Sequence, residues 1–215
     1  MASILKGQSG QPIQFETTPN VNGDDVAVMA NVGPVTNFDS ATGTVIIPSG
    51  LEIGTRRLIR KIHPTQGTVT INCTGETFTR AGLASVELNA DGDYWLLEKV
   101  TATRWELVDG VESGENSDGE YWRKADGKQT CTGLNDLTQI IDISNGSGFR
   151  SADDSYSYPV PFSSSARVTD SAQSFTAWTN IRVAGMSGFT IRGFSFTEGS
   201  VTISFRYVAV GRWYE

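Results

Sequence analysis

The sequence predicts an all-β protein made of two small antiparallel β-sandwich or barrel domains in tandem. Short runs rich in Thr and Val alternate apolar and polar residues, which is the period of a strand with one buried face. Gly, Asn, Asp and Ser interrupt these runs roughly every eight to twelve residues, a spacing typical of sandwiches and barrels. Segments with helical periodicity are nearly absent, so the fold class follows from pattern alone.

Six segments of the first half have the composition of strands, and Gly, Pro, Asn or Asp mark most of the turns between them. The predicted strands are residues 44–47, 57–62, 68–73, 85–88, 94–100 and 104–108. Cys73 ends the third strand on the face of Val69 and Ile71, so we expect it to pack in a core.

A polar segment at residues 109–119 separates the two halves. It contains three glycines and almost nothing to bury, which predicts a linker and a domain boundary. The predicted organisation is an N-terminal anchor or arm with partial strands at residues 1–40, a small β-domain at 41–113 and a C-terminal β-sandwich domain at 114–215.

The second half opens with a predicted β-hairpin and closes with a predicted strand. Residues 120–124 and 128–132 flank the pair Asp126-Gly127, and Gly supplies the positive φ that a tight turn requires. From Val201 to Ala209 apolar residues occupy every odd position, and the polar residues Thr202, Ser204 and Arg206 occupy even ones. We therefore expect one buried face and one wet face in the last strand.

The aromatic pattern changes just before that last strand. Phe189 and Ile191 occupy odd positions, but after Gly193 the aromatic residues Phe194 and Phe196 occupy even ones. A strict period of two does not survive this change if every aromatic side chain faces the core, so the pattern predicts a bulge or bend at Gly193.

Charge and hydropathy argue against two classes of partner. The formal net charge is −7 and neither half is basic, so phosphate backbones would be repelled and no nucleic-acid partner is expected. No segment approaches the roughly 20 apolar residues that span a bilayer, and the start has no apolar run typical of a signal peptide. We therefore expect that the protein does not insert into a membrane. We expect it to be assembled in a cytoplasm.

The residues that most often carry catalysis or bind metals are scarce. His63 is the single histidine and no Gly-x-Ser-x-Gly segment occurs, so a nucleophilic triad has no basis. One histidine with Cys73 and Cys131 does not supply a typical zinc site, and no cofactor or metal is expected. Synthesis in a cytoplasm keeps thiols reduced, which argues against a disulfide within the chain. A disulfide between chains is left open.

Two pairs of neighbouring acids are the remaining candidates for catalysis, because glycosidases need only two carboxylates. They are Asp24-Asp25 and Asp153-Asp154. Adjacent acids in polar loops are usually solvated, so we expect no enzyme.

Four short motifs follow one another in the second half. Residues 121–131 contain an aromatic-Arg pair, an Asp-Gly turn and a Gln-x-Cys, and residues 158–162 read Tyr-Pro-Val-Pro-Phe. Residues 188–191 read Gly-Phe-Thr-Ile, and residues 207–213 contain aromatic-x-Ala-x-Gly. In this order the motifs resemble the C-terminal domain family found on many tail fibres of tailed bacteriophages, and the likeness covers nearly all of residues 116–215.

The resemblance implies a compact antiparallel sandwich similar to H-type lectins, assembled as a three-fold trimer at the cell-facing end of a fibre. More loosely, the first half resembles small β-domains of phage fibres, whose pattern of four strands corresponds to residues 45–48, 57–62, 69–73 and 94–105. Many short strands, whose edges need covering, also favour a homotrimer.

These observations predict a non-enzymatic virion protein, a trimeric tail fibre or fibre tip that binds the host cell surface. The expected partners are further copies of the chain, other tail, collar or head proteins of the virion, and a bacterial surface glycan or protein. The alternative is a head or collar fibre, or a capsid decoration protein, with a purely structural role.

Two polar loops of the second half combine an aromatic ring with hydrogen-bonding groups, as glycan sites do. They contain the four candidate ligand-binding residues Asp153, Asp154, Tyr156 and Trp178. Tyr156 lies among Ser and Asp, so we expect an exposed ring. For Trp178, core packing is favoured over exposure because apolar residues follow it closely.

Overall fold

The computed structural model of the chain describes residues 28–29, 35–79, 81–173 and 176–214. These residues form eighteen β-strands and no helix, which confirms the predicted all-β class. The chain divides into two compact units, Met1–Gly110 and Val111–Glu215. Most of the arm predicted at residues 1–40 lies outside the described residues. The described residues contain no helix that is long and apolar enough to cross a bilayer.

The first unit contains eight strands and the beginning of a ninth. Their bounds are β1 Val28–Met29, β2 Val35–Phe38, β3 Gly43–Ile47, β4 Arg56–Lys61, β5 Val69–Cys73, β6 Thr77–Phe78, β7 Ser85–Leu88, β8 Tyr94–Thr101 and β9 Arg104–Asn116. One sheet has the order β1-β3-β5-β7, and the other has β2, β4, β8 and β9 as successive neighbours with β6 beside β9. All six predicted strands are present, and only β9 extends well beyond its prediction.

Several neighbouring strands of the first unit are parallel, where the sequence analysis expected antiparallel sheets. β1 and β5 run parallel to β3, and β2 runs parallel to β4. From β1 to β8 the chain alternates between the two sheets, so a strand of one sheet connects two neighbours in the other. Parallel pairs require such a crossover, and the residue pattern of single strands does not reveal it.

The core of the first unit includes two fully buried indoles and a buried ion pair. Lys99 Nζ lies 2.5 Å from Glu76 Oε1, and the indole N–H of Trp105 donates to Glu76 Oε2 at 2.6 Å. The indole N–H of Trp95 donates to a backbone carbonyl at 2.8 Å. Both charges of this ion pair and both indole N–H groups therefore have partners, which lowers the cost of burying them.

Both cysteines are buried. Cys73 occupies the buried face of β5 with Val69 and Ile71, which confirms the expected packing. Burial raises the pKa of the Cys73 thiol to about 11 and also raises the pKa of Cys131. Both thiols are therefore protonated and unreactive at neutral pH.

The second unit is a β-sandwich formed by residues 111–116 of β9 and nine further strands. These are β10 Gly119–Lys124, β11 Lys128–Ile141, β12 Ile143–Asn145, β13 Gly148–Arg150, β14 Asp154–Ser157, β15 Arg167–Gln173, β16 Ala177–Ala184, β17 Gly188–Ser195 and β18 Gly199–Arg212. One sheet has the order β15-β18-β11-β10-β9. In the other, β17 pairs with β13, β14 and β16, and β12 pairs with β13.

The strand pairs of the second unit are antiparallel, as predicted. The hairpin is present, with Gly127 at φ +82 and its N–H donating to the Lys124 carbonyl at 3.0 Å. Odd-numbered residues of β18 from Ile203 to Ala209 are buried, which confirms the predicted faces of the last strand. The fully buried side chains between the sheets include Cys131, Leu137, Ile191, Phe205 and Tyr207.

The segment predicted to be a linker is mostly β-strand. Residues 111–116 pair with residues 119–124 of β10. Glu112 is buried there and accepts a hydrogen bond from the hydroxyl of Tyr121 at 3.1 Å. A polar strand is stable when its side chains are hydrogen-bonded, and composition does not show those bonds. The two units divide after Gly110, and the predicted domain limits stay a prediction.

β17 is regular at Gly193, so the bulge predicted there is wrong. Along the whole strand, odd-numbered residues face the core and even-numbered residues face outward. A Cβ at Gly193 would lie 3.2 Å from side-chain atoms of Leu137 and Ile203, so the glycine allows the two sheets to approach closely. The register irregularity lies on β16 instead, between Ile181 and Val183.

Candidate functional site

The first two motifs of the second unit hold each other by buried hydrogen bonds. Gln129 of the hairpin is fully buried, and its side-chain amide donates to the carbonyls of Val160 at 3.1 Å and Pro161 at 3.2 Å. Its carbonyl oxygen accepts a bond from Nε of Arg123 at 2.9 Å. Because a buried amide without partners is costly, this glutamine fixes the Pro-flanked turn against the hairpin.

Aromatic rings connect that turn to the other two motifs. Tyr158 lies edge-on to Phe162 with ring centroids 5.0 Å apart, and it stacks on Phe189 at 5.7 Å. Phe189 contacts Tyr207 at 4.9 Å. A Cβ at Gly211 would lie 2.7 Å from the Phe162 ring, so the glycine makes room for that ring. All four motifs therefore build one core, and their buried side chains are not available to a ligand.

A row of outward-facing side chains crosses the sheet of β12, β13, β16 and β17. In its register, Trp178 pairs with Phe194, Phe194 with Arg150, and Arg150 with Ile143. Directly paired residues of antiparallel strands project from the same face, so these four side chains are neighbours on the outside of the sandwich. We call the rings of Trp178, Phe194 and Phe196 the aromatic platform.

Trp178 is the centre of the aromatic platform. Its ring is within 10° of parallel to that of Phe194 at a centroid distance of 5.8 Å, and the ring of Phe196 lies 5.2 Å away at a tilt of 51°. Trp178 is 42% exposed and Phe196 is 69% exposed. Exposing large rings forgoes about 2 kcal/mol each of hydrophobic stabilisation, so a contiguous exposed cluster indicates a binding surface.

Hydrogen-bonding side chains border the platform. Asn180 pairs with Arg192 in the neighbouring row. Nη2 and Nε of Arg192 lie 2.6 Å and 2.7 Å from Oδ1 of Asp153, an ion pair that holds both side chains in place. A flat ring bordered by fixed donors and acceptors has the geometry to stack on one face of a sugar and bind its hydroxyls.

The structure divides the four candidate ligand-binding residues between two faces of this sheet. Trp178 lies on the outer face, and Asp153 is bound to Arg192 of the same face. Asp154 and Tyr156 are strand residues of β14 and project toward the core side. Part of the segment predicted as a polar loop is therefore strand β14, and Asp153, just before that strand, contacts the face opposite to Asp154 and Tyr156.

Tyr156 is a half-buried residue at the edge of the core, so the expected exposure is wrong. Its ring stacks on Phe189 at 5.8 Å and meets Phe205 edge-on at 5.0 Å. Its hydroxyl donates to the Asp136 carbonyl at 3.0 Å. Burial, together with the nearby Asp154 carboxylate, raises the pKa of the Tyr156 hydroxyl to about 12.

Trp178 is exposed, so the core packing favoured by the sequence is wrong as well. It belongs to strand β16, where Ala177 faces the core and Trp178 faces outward. The apolar residues that follow it are a poor guide, because Val183 is itself exposed beyond the register irregularity. Ser174 and Phe175, which belong to the same predicted loop, lie outside the described residues.

Three residues on the same side of the sheet as Trp178 were not predicted as site residues from the sequence: Phe194 and Phe196, whose rings contact Trp178, and Arg150, on the far side of Phe194. The signal for the two rings is the change from odd to even aromatic positions after Gly193. A regular strand with rings on both faces explains that change without any bulge. Arg150 has no signal of its own, since its place depends on the pairing of β13 with β17.

No cluster of metal ligands is formed by the residues that the structure describes. They include no group of His, Cys, Asp or Glu arranged to hold an ion. Nδ1 of His63 accepts a bond from the Thr65 N–H at 3.2 Å within a turn. Asp153 and Asp154 project to opposite sides of their sheet, unlike the facing carboxylates of a glycosidase. The pair at residues 24–25 lies outside the described part of the chain.

The outer face of the opposite sheet provides a contrast. Trp122 of β10 is 38% exposed there, and it contacts no other ring among the described residues. An open groove of about 590 Å³ lies on this sheet and is lined by apolar and charged side chains together, including Leu134, Glu120 and Arg206. Two similarly exposed tryptophans thus lie on the two sheets of one sandwich, and only Trp178 is part of an aromatic cluster.

No family model and no curated protein matches this chain. Among solved structures, an N-truncated R1-type pyocin tail fibre is 13% identical over 47% of this chain and 84% of its own, with a TM-score of 0.38. A C-terminal part of the P. aeruginosa R1 pyocin fibre is 8% identical over 59% of this chain and 53% of its own, with a TM-score of 0.38. The tailspike protein gp49 from Pseudomonas phage LKA1 is 10% identical over 83% and 31%, with a TM-score of 0.30. This chain spans about half of the second structure and a third of the third, and likenesses this distant do not establish a function.

Proposed function

We propose that this chain is a non-enzymatic fibre protein of a tailed bacteriophage particle that assembles as a homotrimer and binds a bacterial surface glycan through the aromatic platform. The observation that carries the proposal is the outward-facing cluster of exposed Trp178 and Phe196 with half-buried Phe194 between the strands. It lies on a sandwich whose core is built by the four fibre-domain motifs.

The convergence of the motifs supports the fibre part of the proposal. Four segments spread over about a hundred residues have no reason to meet if each is a chance match. Here the hairpin, the Pro-flanked turn, β17 and β18 share hydrogen bonds and ring contacts in one core. The segments therefore act as one structural set, as expected for the signature of a domain family.

The geometry of the outer face supports recognition by stacking. The indole of Trp178 offers a flat apolar surface, and the Arg192–Asp153 pair and Asn180 offer donors and acceptors beside it. Such a site is open and shallow, so it binds a polymer along its length and has no means of enclosing a reaction. Of the four candidate residues, Trp178 and Asp153 belong to this site, while Asp154 and Tyr156 support the sandwich from within.

A homotrimer is supported by the family resemblance and by exposed strand edges. β15 is the terminal strand of its sheet among the described residues, so one side of it offers unpaired backbone groups. Light scattering of the full chain should give about three times the 23.2 kDa of one chain. A 23.2 kDa particle at micromolar concentration would contradict the assembly.

The test compares two single changes in the full chain. Trp178→Ala removes the centre of the platform, and Trp122→Ala removes a similarly exposed indole from the other sheet. Binding to whole bacteria and to their purified surface polysaccharide is measured for both. Trp178→Ala should weaken binding about tenfold, since ring stacking is worth about 1 to 1.5 kcal/mol. Trp122→Ala should bind like the unaltered chain.

Three results are informative. Equal binding by both variants and the unaltered chain would remove the platform from recognition. Loss of binding only in Trp122→Ala would move the site to the opposite sheet. A folded trimer that adsorbs to no bacterium or polysaccharide would favour the alternative, a head or collar fibre or decoration protein without a receptor. Melting temperatures of both variants identify any loss that comes from unfolding.

A further inference from the structure

Arg150 continues the row that contains the centre of the platform. It pairs with Phe194 across β13 and β17, and Phe194 pairs with Trp178 across β17 and β16. Its side chain therefore projects from the same face as the two rings. Neighbouring strands are about 4.8 Å apart, so the backbone of Arg150 lies about 10 Å from that of Trp178. This separation is longer than one sugar ring and suits two linked rings.

The charge of Arg150 is not neutralised by the residues around it. Its one hydrogen bond is from Nη1 to the Ser151 carbonyl at 3.3 Å, and no carboxylate of the described residues forms an ion pair with it. Arg192 on the same face differs, because Asp153 holds it through two nitrogens. Arg150 therefore keeps four of its five donors and an unpaired charge for another group, whereas the charge of Arg192 is already paired with Asp153.

The surroundings of Arg150 strengthen its attraction for an anion. Phe194 lies beside it on one strand and Ile143 on the other. Apolar neighbours lower the local dielectric, so an ion pair formed here is worth more than one formed in open water. A guanidinium also matches the two oxygens of a carboxylate or a phosphate in a fork-to-fork arrangement.

The geometry points to an anionic saccharide as the ligand of this face, with a sugar ring stacked on Trp178 and a carboxylate or phosphate of the next unit bound by Arg150. This inference rests on the proposed glycan binding and adds the charge of the ligand. The chain carries a net charge of −7, so general attraction does not bring a polyanion to it. Selectivity for the anion then depends on Arg150 itself.

The experiment measures binding of the full chain by titration calorimetry to three kinds of probe. The first is trigalacturonic acid, which carries carboxylates. The second is a mannose disaccharide carrying one phosphate. The third is the neutral counterpart of each, made by carboxyl reduction or by removal of the phosphate. Comparison of the first two probes shows which oxyanion the site prefers.

Two charge-matched variants locate the effect. Arg150→Gln removes the charge from the row, and Arg167→Gln removes the same charge from β15 on the opposite sheet. For an anionic probe, Arg150→Gln should lower affinity about tenfold or more, and Arg167→Gln should leave it unchanged. Arg150→Lys, which keeps the charge without the fork, should lie between Arg150→Gln and the unaltered chain. A melting temperature measured for each variant separates loss of the ligand contact from loss of fold.

The outcomes separate this inference from the function it rests on. If neutral and anionic probes bind equally and only Trp178→Ala weakens them, the platform binds glycans but the assignment to Arg150 fails. If Arg167→Gln weakens anionic probes as much as Arg150→Gln does, the attraction is diffuse and the assignment also fails. If no probe binds while the chain still adsorbs to bacteria and their polysaccharide through Trp178, only the inference is contradicted. If Trp178→Ala also leaves that adsorption unchanged, both the inference and the function of the platform are contradicted.

Discussion

The four motifs and the aromatic platform lie in the same sandwich, yet their side chains are used in opposite ways. Phe162 belongs to a motif, is buried and packs against Tyr158. Phe196 belongs to the platform, is exposed and contacts the ring of Trp178 on the outer face of the sheet. The motif residues build the core of the sandwich, whereas the residues of the platform belong to no motif. The resemblance in this chain therefore gives information about fold, and the proposed recognition depends on residues outside the motifs.

The largest effect on stability is expected from removing residues 111–116 of β9, which pair with the hairpin strand β10. A fragment of residues 111–215 contains the part of β9 that pairs with β10, and a fragment of residues 117–215 does not. Without Glu112 the Arg123 side chain loses its ion pair and Tyr121 loses a hydrogen bond. We expect the longer fragment to unfold cooperatively on heating and the shorter one to lose that transition, as followed by circular dichroism.

Equal melting curves for the two fragments would place the limit of the folded domain near the position predicted from composition. Limited proteolysis of the full chain provides a second test. Cleavage should spare residues 111–116 because a paired strand resists proteases. Rapid cutting within that range would contradict the strand.

Two phenylalanines test the contrast between motif and platform by stability. Phe162→Ala should lower the free energy of unfolding by about 3 to 5 kcal/mol, the usual cost of removing a buried ring. Phe196→Ala should change it by about 0.5 kcal/mol or less, since most of that ring is already in water. Urea denaturation measures both. Similar losses for the two variants would mean that the platform is part of the structural core.

A pair of turn glycines isolates what the hairpin motif contributes. Gly127 and Gly146 both have positive φ, at +82 and +66, but only Gly127 has close neighbours. Valine at Gly146 meets open space and should cost about 1 kcal/mol of backbone strain. Valine at Gly127 should cost about 2 kcal/mol, because the Arg212 guanidinium must also give up its bond to the Asp126 carbonyl. Melting temperatures measure both losses. An unchanged melting temperature in Gly127→Val would contradict the role of this glycine in the turn.

A modest effect on stability is expected from loss of the Tyr156 hydroxyl. Tyr156→Phe removes one bond to the Asp136 carbonyl and keeps the ring contacts with Phe189 and Phe205. We expect a loss of about 1 kcal/mol in unfolding free energy and no change in polysaccharide binding. A variant with normal stability and impaired binding would return Tyr156 to the ligand site, as the sequence first indicated.

The fold was largely predictable because strand patterns are local. Alternation identified all six predicted strands of the first half, and Asp126-Gly127 identified the hairpin. The parallel pairing of β3 and β5 was not predictable, since it depends on the chain crossing between sheets. The strand at residues 111–116 was missed because its polar residues are stabilised by partners from elsewhere in the sequence, such as the Tyr121 hydroxyl bound to Glu112.

The sequence identified several residues of the candidate site but did not show on which face of the sheet each of them lies. Trp178 and Asp153, candidates from two different predicted loops, lie on one surface of the sheet, whereas Tyr156, from the same predicted loop as Asp153, projects to the other side. Which face is buried depends on the partner sheet, and a sequence shows only the alternation. Phe194 is an example. A bulge was predicted because its ring was expected to face the core, but the ring faces outward and is part of the platform.

Site-resolved nuclear magnetic resonance tests the central claim most directly. The chain has five tryptophans, and each gives one indole N–H signal; the signal of Trp178 is identified by its absence in Trp178→Phe. An oligosaccharide from the surface polysaccharide that the full chain binds is then titrated in. Recognition on the platform predicts that the Trp178 signal shifts most and that the Trp122 signal stays in place. A shift confined to Trp122, or unchanged signals for both under saturating ligand, would contradict it.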